Sequence, residues 1–337
     1  MRMRTIVVLA CLLAAALLAA PAEAKLVYVK QADTASPVIY VATNAGKKPR
    51  RLGIGRAPTI SPNGQWVAFV TVRSEGSQID TVVLQRLESG SQRLVMRSAA
   101  IDSLRFSPDS KKLGAIASGK RVRVYDIAED RLHVTAAGNI RGYSFSPDSQ
   151  NIVYGLAAKE SFTSDSDLYM VPALGGEEMR LTEDKNAINP VWGPTEIFFD
   201  RFKRRKEDAP AYNLWALNPQ QPDPLRRLTD LTIPPLTSGL VPLEVSANGK
   251  RMLAAFTGQD IEVGFTVATA TGKTRALSRD FETGTVGFDL SADGETILAH
   301  TGGPDPTAAH DVVTVPYGRS GKTKVLVEDA AYPDWSR

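Results

Sequence analysis

The sequence predicts an all-β protein built from one small module that is repeated along the chain. The first observation is a four-residue turn that precedes an apolar strand again and again. Its copies stand at Ser61–Gly64, Ser107–Ser110 and Ser146–Ser149, with looser versions at Ser246–Gly249, Ser291–Gly294 and Trp192–Thr195. The second observation is their spacing of about 40 to 55 residues, which is typical of repeat architectures. The third is that no segment carries a sustained helical period.

The parts of one module follow from the repeat beginning at Ser107. Ser, Pro and Asp suit the first three positions of a type I turn. The apolar run Leu113–Ile116 comes directly afterwards and predicts a strand, and Val122–Tyr125 predicts the next one. A short last strand carries an Arg before a Leu, at Arg131 here, and charge suits the outer edge of a sheet. With the strand that leads into the turn, each module supplies four short antiparallel strands.

A single four-stranded sheet cannot bury both of its faces, so the copies must stack against one another. Radial stacking is the known solution for a repeat of this size, and it gives a β-propeller. Counting the outer strands predicts seven four-stranded blades. Six or eight blades are the alternatives, because the turn at Trp192–Thr195 is degraded.

The two ends of the chain predict how the ring closes. The first blade starts at Lys25 and lacks an inner strand, whereas Ala331–Arg337 has the pattern of an inner strand without a blade of its own. We therefore expect the C-terminal strand to join the N-terminal blade and to bring Trp335 near Tyr28.

Residues 1–24 are predicted to be a signal peptide, and residues 25–337 a single propeller domain. Arg2 and Arg4 precede the uncharged run 6–20, and Ala22–Ala24 is a small-x-small cleavage site. The run is shorter than the roughly 20 residues of a membrane span. We expect an exported protein, periplasmic or extracellular, without a membrane span. Cys11 is the single cysteine and lies in this leader, so the mature chain has neither disulfides nor cysteine chemistry.

The charge balance excludes one class of partner. The formal net charge is +3 at pH 7, which is too small to favour nucleic acid. We expect a monomer whose partner is a protein or an envelope polymer.

The recurring Ser-Pro-Asp/Asn-Gly/Ser turn followed by an apolar strand resembles the repeat of the TolB-like (PD40, WD40-like) propellers. The resemblance covers nearly all of residues 25–337 and implies the propeller fold, with a protein-interaction or envelope-associated role. The Gly-His and Trp-Asp pairs of true WD40 repeats are absent.

The motifs of local catalytic sites are missing from the sequence. It contains no Gly-x-Ser-x-Gly elbow and no His-Glu-x-x-His pair. His300 and His310 flank a loop that holds Asp305, and two imidazoles with a carboxylate are the beginnings of a metal site. A third firm ligand is not visible, so we interpret these as polar loop residues and expect neither a metal nor another cofactor.

The most unusual loop is basic and lies between two strands of the fifth blade. It contains Arg201, Lys203, Arg204, Arg205 and Lys206. One interpretation is a docking patch for an acidic partner or an anionic polymer. The other is a long hairpin loop that its charges keep solvated.

Two functional hypotheses follow. The first, which the sequence favours, is a secreted and non-enzymatic binding module. The second is a propeller enzyme acting on a carbohydrate or a lactone at one face of the ring, since such a site can gather residues from several blades without leaving a local motif.

Overall fold

The computed structural model describes residues 24–74, 76–161, 164–205, 210–221, 225–280, 284–303, 305, 308–319 and 322–337. Residues 1–23 of the predicted signal peptide and Lys206 of the basic loop lie outside this set. Among the described residues, all of the elements of secondary structure are β-strands. The all-β prediction is therefore confirmed.

The first sheet unites the two ends of the chain. Its strands are β1 (Lys25–Lys30), β2 (Val38–Thr43), β3 (Arg50–Ile60), β4 (Trp66–Thr71), β5 (Asp80–Arg86), β6 (Gln92–Ser98) and the C-terminal β27 (Ala330–Trp335). Their order in the sheet is β27-β1-β2-β3-β4-β5-β6.

Strand β3 serves two four-stranded units at once. Its first half pairs with β2, with Ile54 opposite Val38, and its second half pairs with β4, with Ile60 opposite Val67. The sequence predicts two separate strands here, a basic third strand at Lys48–Leu52 and the approach to the Ser61 turn at Ala57–Ile60. They are continuous because Gly53–Gly55 stay extended instead of turning, and a side chain on Gly55 would come within 2.6 Å of the Phe69 ring.

The next two sheets have four strands each. The second holds β7 (Ile101–Phe106), β8 (Lys112–Ala117), β9 (Arg121–Asp126) and β10 (Arg131–Ala137). The third holds β11 (Asn139–Phe145), β12 (Asn151–Ala157), β13 (Ser166–Pro172) and β14 (Met179–Arg180). Neighbouring strands are antiparallel in both.

The fourth sheet joins two further units. The first unit is β15 (Ala187–Trp192), β16 (Ile197–Lys203), β17 (Ala211–Leu217) and β18 (Leu225–Arg227). The second is β19 (Thr237–Val245), β20 (Arg251–Gly258), β21 (Glu262–Ala268) and β22 (Thr274–Ala276). They meet through one parallel bridge between Tyr212 and Gly239. The fifth sheet is β23 (Val286–Leu290), β24 (Thr296–His300), β25 (Val312–Pro316) and β26 (Lys324–Val327).

The hydrophobic core lies between neighbouring units. Val82 and Leu84 of β5, for example, pack in one cluster with Leu113 of β8, and all three are fully buried. Each such side chain contributes roughly 1.5–3 kcal/mol when it leaves water. Neighbouring units therefore bury their apolar faces against one another, which is the stacking that the repeat predicts.

The recurring turn has the bonds that its sequence predicts. The Ser107 hydroxyl donates to Asp109 Oδ1 at 2.6 Å and accepts the Lys112 N–H at 2.9 Å, while the Ser107 carbonyl accepts the Ser110 N–H. The same hydroxyl bonds recur at Ser61, Ser146, Ser246 and Ser291. One Ser and one Asp or Asn thus fix the turn and start the next strand.

The fourth position of each of the five Ser-containing turns is left-handed. Glycine holds it in three copies, at Gly64, Gly249 and Gly294, whereas Ser110 and Ser149 have φ of 63° and 62°. These two serines link neighbouring units. Ser110 Oγ accepts the Asn63 N–H at 3.1 Å, and Ser149 Oγ accepts the Asp109 N–H at 3.0 Å.

The C-terminal strand is fastened to several other elements. Strand β27 pairs antiparallel with β1, with Trp335 opposite Leu26. Asp334 Oδ2 accepts the Thr59 hydroxyl at 2.7 Å and the Ile60 N–H at 2.9 Å. Arg337 forms ion pairs at 2.8 Å with Glu244 and at 2.5 Å with Asp289. The tail therefore contacts β1, β3, β19 and β23.

Candidate functional site

Antiparallel pairing gives each unit two different ends. The Ser-containing turns and the connections before the outer strands lie at one end, which we call the turn face. The connections between second and third strands, and those between units, lie at the other end, which we call the loop face. The described residues of the connections 72–79, 158–165, 204–210, 228–236, 277–285 and 301–311 belong to the loop face. The predicted basic loop and the two histidines therefore lie on the same face.

Arg201, the first residue of the predicted patch, is held inside the protein surface. Its side chain is 14% exposed and pairs with Asp184 at 2.9 Å. Its Nε donates to Asn186 Oδ1 at 2.9 Å, and the guanidinium lies 4.3 Å above the Trp215 ring. The guanidinium is thus hydrogen-bonded along its edge and stacked on an aromatic ring on one face, an environment that suits arginine. Arg201 orders the connection 181–186.

Arg204 joins the basic loop to a neighbouring unit. Its Nη2 lies 2.7 Å from Asp165 Oδ1, and its guanidinium lies 5.2 Å from the Phe202 ring. Lys203, in contrast, is exposed at the end of β16. The patch therefore presents Lys203 outward, whereas the charge of Arg204 is paired.

Arg205 holds the next connection along the loop face. Its guanidinium donates to the carbonyls of Ile233 at 3.2 Å, Pro234 at 3.1 Å and Thr237. Between these carbonyls, Pro234, Pro235 and Leu236 are exposed, and the Leu236 side chain is 67% exposed. We call Pro234–Leu236 the apolar projection. Leu236 has φ of 62°, a left-handed conformation that is unfavourable for leucine.

The two predicted histidines lie together and are buried. The rings of His300 and His310 stack 4.5 Å apart at an interplanar angle of 8°. His310 Nδ1 is 2.7 Å from the Thr301 carbonyl, which makes it the protonated nitrogen. Among the described residues, His300 Nδ1 and His310 Nε2 have no hydrogen-bond partner. Burial, and then the adjacent His310, lowers the pKa of His300 to about 3, so His300 is neutral at physiological pH.

This stacked geometry does not suit a shared metal ion. The lone pairs of an imidazole lie in the ring plane, so two parallel stacked rings direct them along separate planes. Among the described residues, no group of three or more His, Cys, Asp or Glu side chains could hold a metal. The residues present therefore give no ligand set around His300, His310 and Asp305.

Sequence reasoning missed two aromatic residues beside the histidines, and also Glu262, which interacts with one of these two. Phe288 meets His300 edge to face at 4.7 Å, and Tyr332 lies 5.4 Å from His300. Tyr332 has φ of 51°. Burial raises the pKa of Glu262, and burial, followed by the nearby charge of Glu262, raises the pKa of Tyr332. These residues come from β21, β23 and β27, and no local pattern could have joined them.

The arrangement can form hydrogen bonds with a polar ligand. A carboxyl group with a raised pKa can donate a proton, and a neutral imidazole nitrogen can accept one. Together with the strained backbone at Tyr332, these groups mark the cluster as a candidate site.

Comparisons with known proteins identify the fold. No protein-family model matches the chain, and no curated protein matches it. Among solved structures, the β-propeller domain of the Trilobed protease from Pyrococcus furiosus is similar with a TM-score of 0.65 and 15% identity, over 92% of this chain and 96% of that one. TolB from Acinetobacter baumannii is similar with a TM-score of 0.53 and 13% identity, over 94% and 67%.

An enzyme has the same fold. The oligogalacturonate lyase of Vibrio parahaemolyticus is similar with a TM-score of 0.58 and 14% identity, over 90% of this chain and 84% of that one. The chain thus has the β-propeller fold of TolB-like proteins, which it shares with propeller enzymes. In the described residues, no helix is long and apolar enough to span a membrane.

Proposed function

We propose that this chain is an exported, non-enzymatic β-propeller that binds a partner protein through its loop face. The apolar projection Pro234–Leu236 is the observation that carries the proposal. Its leucine is 67% exposed in a left-handed conformation, on a segment that Arg205 holds at three carbonyls.

The conformation of Leu236 is unfavourable for two reasons, the exposure of its side chain and its left-handed backbone. Leaving a leucine side chain in water forfeits roughly 1.5–3 kcal/mol, and the left-handed backbone costs about 1–2 kcal/mol. A partner surface that covers the side chain would recover the first term. Because Arg205 already orders the segment, little conformational entropy would be lost on binding.

The surroundings of the projection fit a protein interface. Interfaces typically place an apolar anchor at the centre and charged groups at the rim. Lys203 is exposed nearby in the basic loop, and Arg204 lies half exposed beside Asp165. The proposed partner therefore offers an apolar pocket with an acidic rim, and the basic loop serves as the rim of the site rather than as its centre.

The proposal includes the architecture of the mature protein. We take the four-stranded units as seven blades of one monomeric domain, residues 25–337, released from the signal peptide 1–24 in the periplasm or outside the cell. Pairing of β27 with β1 and the bonds of Asp334 to Thr59 and Ile60 support a closed ring. The alternative is the open velcro topology that is named for the Pyrococcus furiosus domain.

A comparison of matched variants tests the binding function. The mature chain, Leu236→Asp and Leu132→Asp are immobilised and exposed to an envelope extract of the producing cell. Leu132 is the control because it is 38% exposed on the outer strand β10. We expect one protein to bind the mature chain and Leu132→Asp and to lose at least about tenfold in affinity for Leu236→Asp. Equal retention by both variants, or retention of a polymer alone, would refute the proposed interface.

A second candidate function is an enzyme acting on a carbohydrate or a lactone. It rests on one observation, the raised pKa of Glu262 beside Tyr332 and the buried histidines. Turnover of a panel of oligosaccharides and lactones by the mature chain, with a loss of about 100-fold or more in Glu262→Gln, would favour it. Turnover that Glu262→Gln leaves unchanged would place any activity elsewhere.

A further inference from the structure

Two adjoining cavities lie on the turn face, at the opposite end of the molecule from the apolar projection. They open between β1–β3 and the unit that follows, and their volumes are about 170 and 400 Å³. Both are lined by Lys25, Arg50 and Leu87. Lys48 lines the first cavity, and the second is lined by Arg86 together with the carboxylate of Glu88. We call the combined space the basic cleft.

Neutral groups hold the two central cations of the cleft in place. Arg50 Nη2 donates to the Leu87 carbonyl at 2.9 Å, and Lys25 Nζ donates to the Gly64 carbonyl at 2.7 Å. Each bond fixes the position of a charge and uses only one of its several N–H donors. The remaining donors stay available to a ligand.

The charge of the cleft is poorly neutralised by the protein. In the part of the chain that the structure describes, Lys25, Lys48 and Arg50 have no carboxylate oxygen within 4.0 Å, whereas Arg86 has Glu88 at 3.5 Å. The more conspicuous basic loop differs, since Arg201 and Arg204 are paired with Asp184 and Asp165. Lys48 also has a left-handed φ of 54°, which is uncommon outside glycine and asparagine.

The shape of the cleft adds an apolar wall to these cations. Val41, Ala42 and Leu87 line it and are at most 6% exposed. A guanidinium presents a fork that matches two oxygens of a phosphoryl group, and an ammonium adds a point charge. Three unneutralised cations suit a dianion better than a single carboxylate. The wall suits the apolar face of a small ring, and a volume of a few hundred Å³ is that of a small-molecule site.

We propose that the basic cleft binds a phosphorylated sugar-sized group, with the phosphoryl oxygens at Lys25, Lys48 and Arg50 and the ring against Val41 and Leu87. The proposal is independent of the protein partner at the loop face. The same phosphoryl chemistry is available from a soluble sugar phosphate and from the headgroup of an anionic phospholipid.

Calorimetric titration of the mature chain tests the proposal with four probes. They are glucose 6-phosphate, glucose, inorganic phosphate, and vesicles of phosphatidylcholine with or without phosphatidylglycerol. We expect glucose 6-phosphate to bind more tightly than inorganic phosphate, and glucose not to bind. Binding to the phosphatidylglycerol vesicles instead assigns the group to a lipid headgroup. Absence of binding to every phosphorylated probe overturns the proposal.

Matched variants separate a site from general charge attraction. Arg50→Ala should weaken the binding at least about tenfold, the usual effect of losing a charge-assisted hydrogen bond. Arg51→Ala removes the same charge from the next residue, which is exposed and does not line either cavity, and should change the affinity less than about twofold. Equal losses in the two variants overturn the proposal. If Arg50→Ala fails to fold, Lys48→Gln repeats the test, because the Lys48 side chain forms no hydrogen bond or ion pair with the described residues; the expected loss is about threefold.

Discussion

The main-chain N–H of Asp109 donates to the hydroxyl of Ser149 on the neighbouring unit at 3.0 Å. The pair Asn63 and Ser110 repeats this bond at 3.1 Å one unit earlier. Both serines occupy a left-handed position that glycine fills in other copies of the turn. The serine hydroxyl therefore offsets backbone strain by joining two units.

Two substitutions of Ser149 distinguish the contribution of its hydroxyl to stability from the cost of its left-handed backbone. Ser149→Ala loses the bond and keeps the left-handed backbone, so the free energy of unfolding should fall by about 1–2 kcal/mol. Ser149→Gly loses the same bond and relieves the strain, so it should be more stable than the Ala variant by about 0.5 kcal/mol. Urea unfolding of both variants measures the difference. An Ala variant as stable as the parent would show that the bond contributes nothing.

Asp80 is a buried acceptor that organises one part of the loop face. It is 1% exposed and accepts hydrogen bonds from Arg56 and Arg73, both at 2.7 Å, and from the Ile101 N–H at 3.0 Å. Asp80→Ala leaves that N–H buried without an acceptor and should lower the free energy of unfolding by about 3 kcal/mol. The control Glu88→Ala removes an exposed pair and should cost less than about 0.5 kcal/mol in the same urea titration.

The contribution of Asp80 should depend on pH. Burial by itself would raise the pKa of Asp80, but the hydrogen bonds from Arg73 and Arg56 outweigh it and lower the pKa. The stabilisation is therefore present above the unfolded-state pKa of about 3.9 and is lost as the pH falls through the folded-state value. The stability gap between the parent and Asp80→Ala should shrink below about pH 4. A constant gap down to pH 2 would contradict this account.

Asp200 should show the opposite dependence. It is fully buried, Asn189 Nδ2 donates to its Oδ2 at 3.3 Å, and its Oδ1 has no hydrogen-bond partner among the described residues. Burial raises the pKa of Asp200 well above the usual value. The folded state therefore holds the proton more tightly, and stability is lost as the pH rises from the unfolded-state pKa towards the folded-state one.

Asp200→Asn keeps the shape of the side chain and removes the group that titrates. Thermal melts between pH 4 and 8 should show the parent losing stability relative to Asp200→Asn as the pH rises. A difference in melting temperature that does not change with pH would mean that the carboxyl titrates alike in the folded and unfolded chains.

The junction of β27 with β1 should tolerate charge poorly. Ala331 is 1% exposed and stands opposite Val29. Ala331→Asp buries a carboxylate without a partner there and should lower the free energy of unfolding by more than about 3 kcal/mol. Val325→Asp places the same charge on outer strand β26, where Val325 is 48% exposed, and should cost less than about 1 kcal/mol. Similar urea midpoints for the two variants would argue that β27 does not close the structure.

The turns were predictable because their chemistry is local. The Ser107 hydroxyl finds both of its partners, Asp109 and Lys112, within five residues. The partner of Ser149 lies forty residues away in another copy of the module, so the sequence could not explain why serine replaces glycine there. The continuity of β3 was missed for a related reason, since Gly53 and Gly55 indicate a turn by composition yet lie in an extended strand.

The candidate site shows the same limit more strongly. A run of basic residues predicted a docking patch at 201–206, but the sequence does not reveal that Arg201 meets Asp184 or that Arg204 meets Asp165. That prediction is untested, and Lys206 lies outside the described residues. The basic cleft went unnoticed because Lys25, Arg50 and Arg86 come from three strands.

The division between a turn face and a loop face has an evolutionary consequence. Bonds such as that of Asp109 to Ser149 join the units at the recurring Ser-containing turns of the turn face. A loop on the far side can then grow, shrink or be exchanged without disturbing those joints. Such a chain can acquire a new binding preference by insertion at the loops while its framework stays as it was.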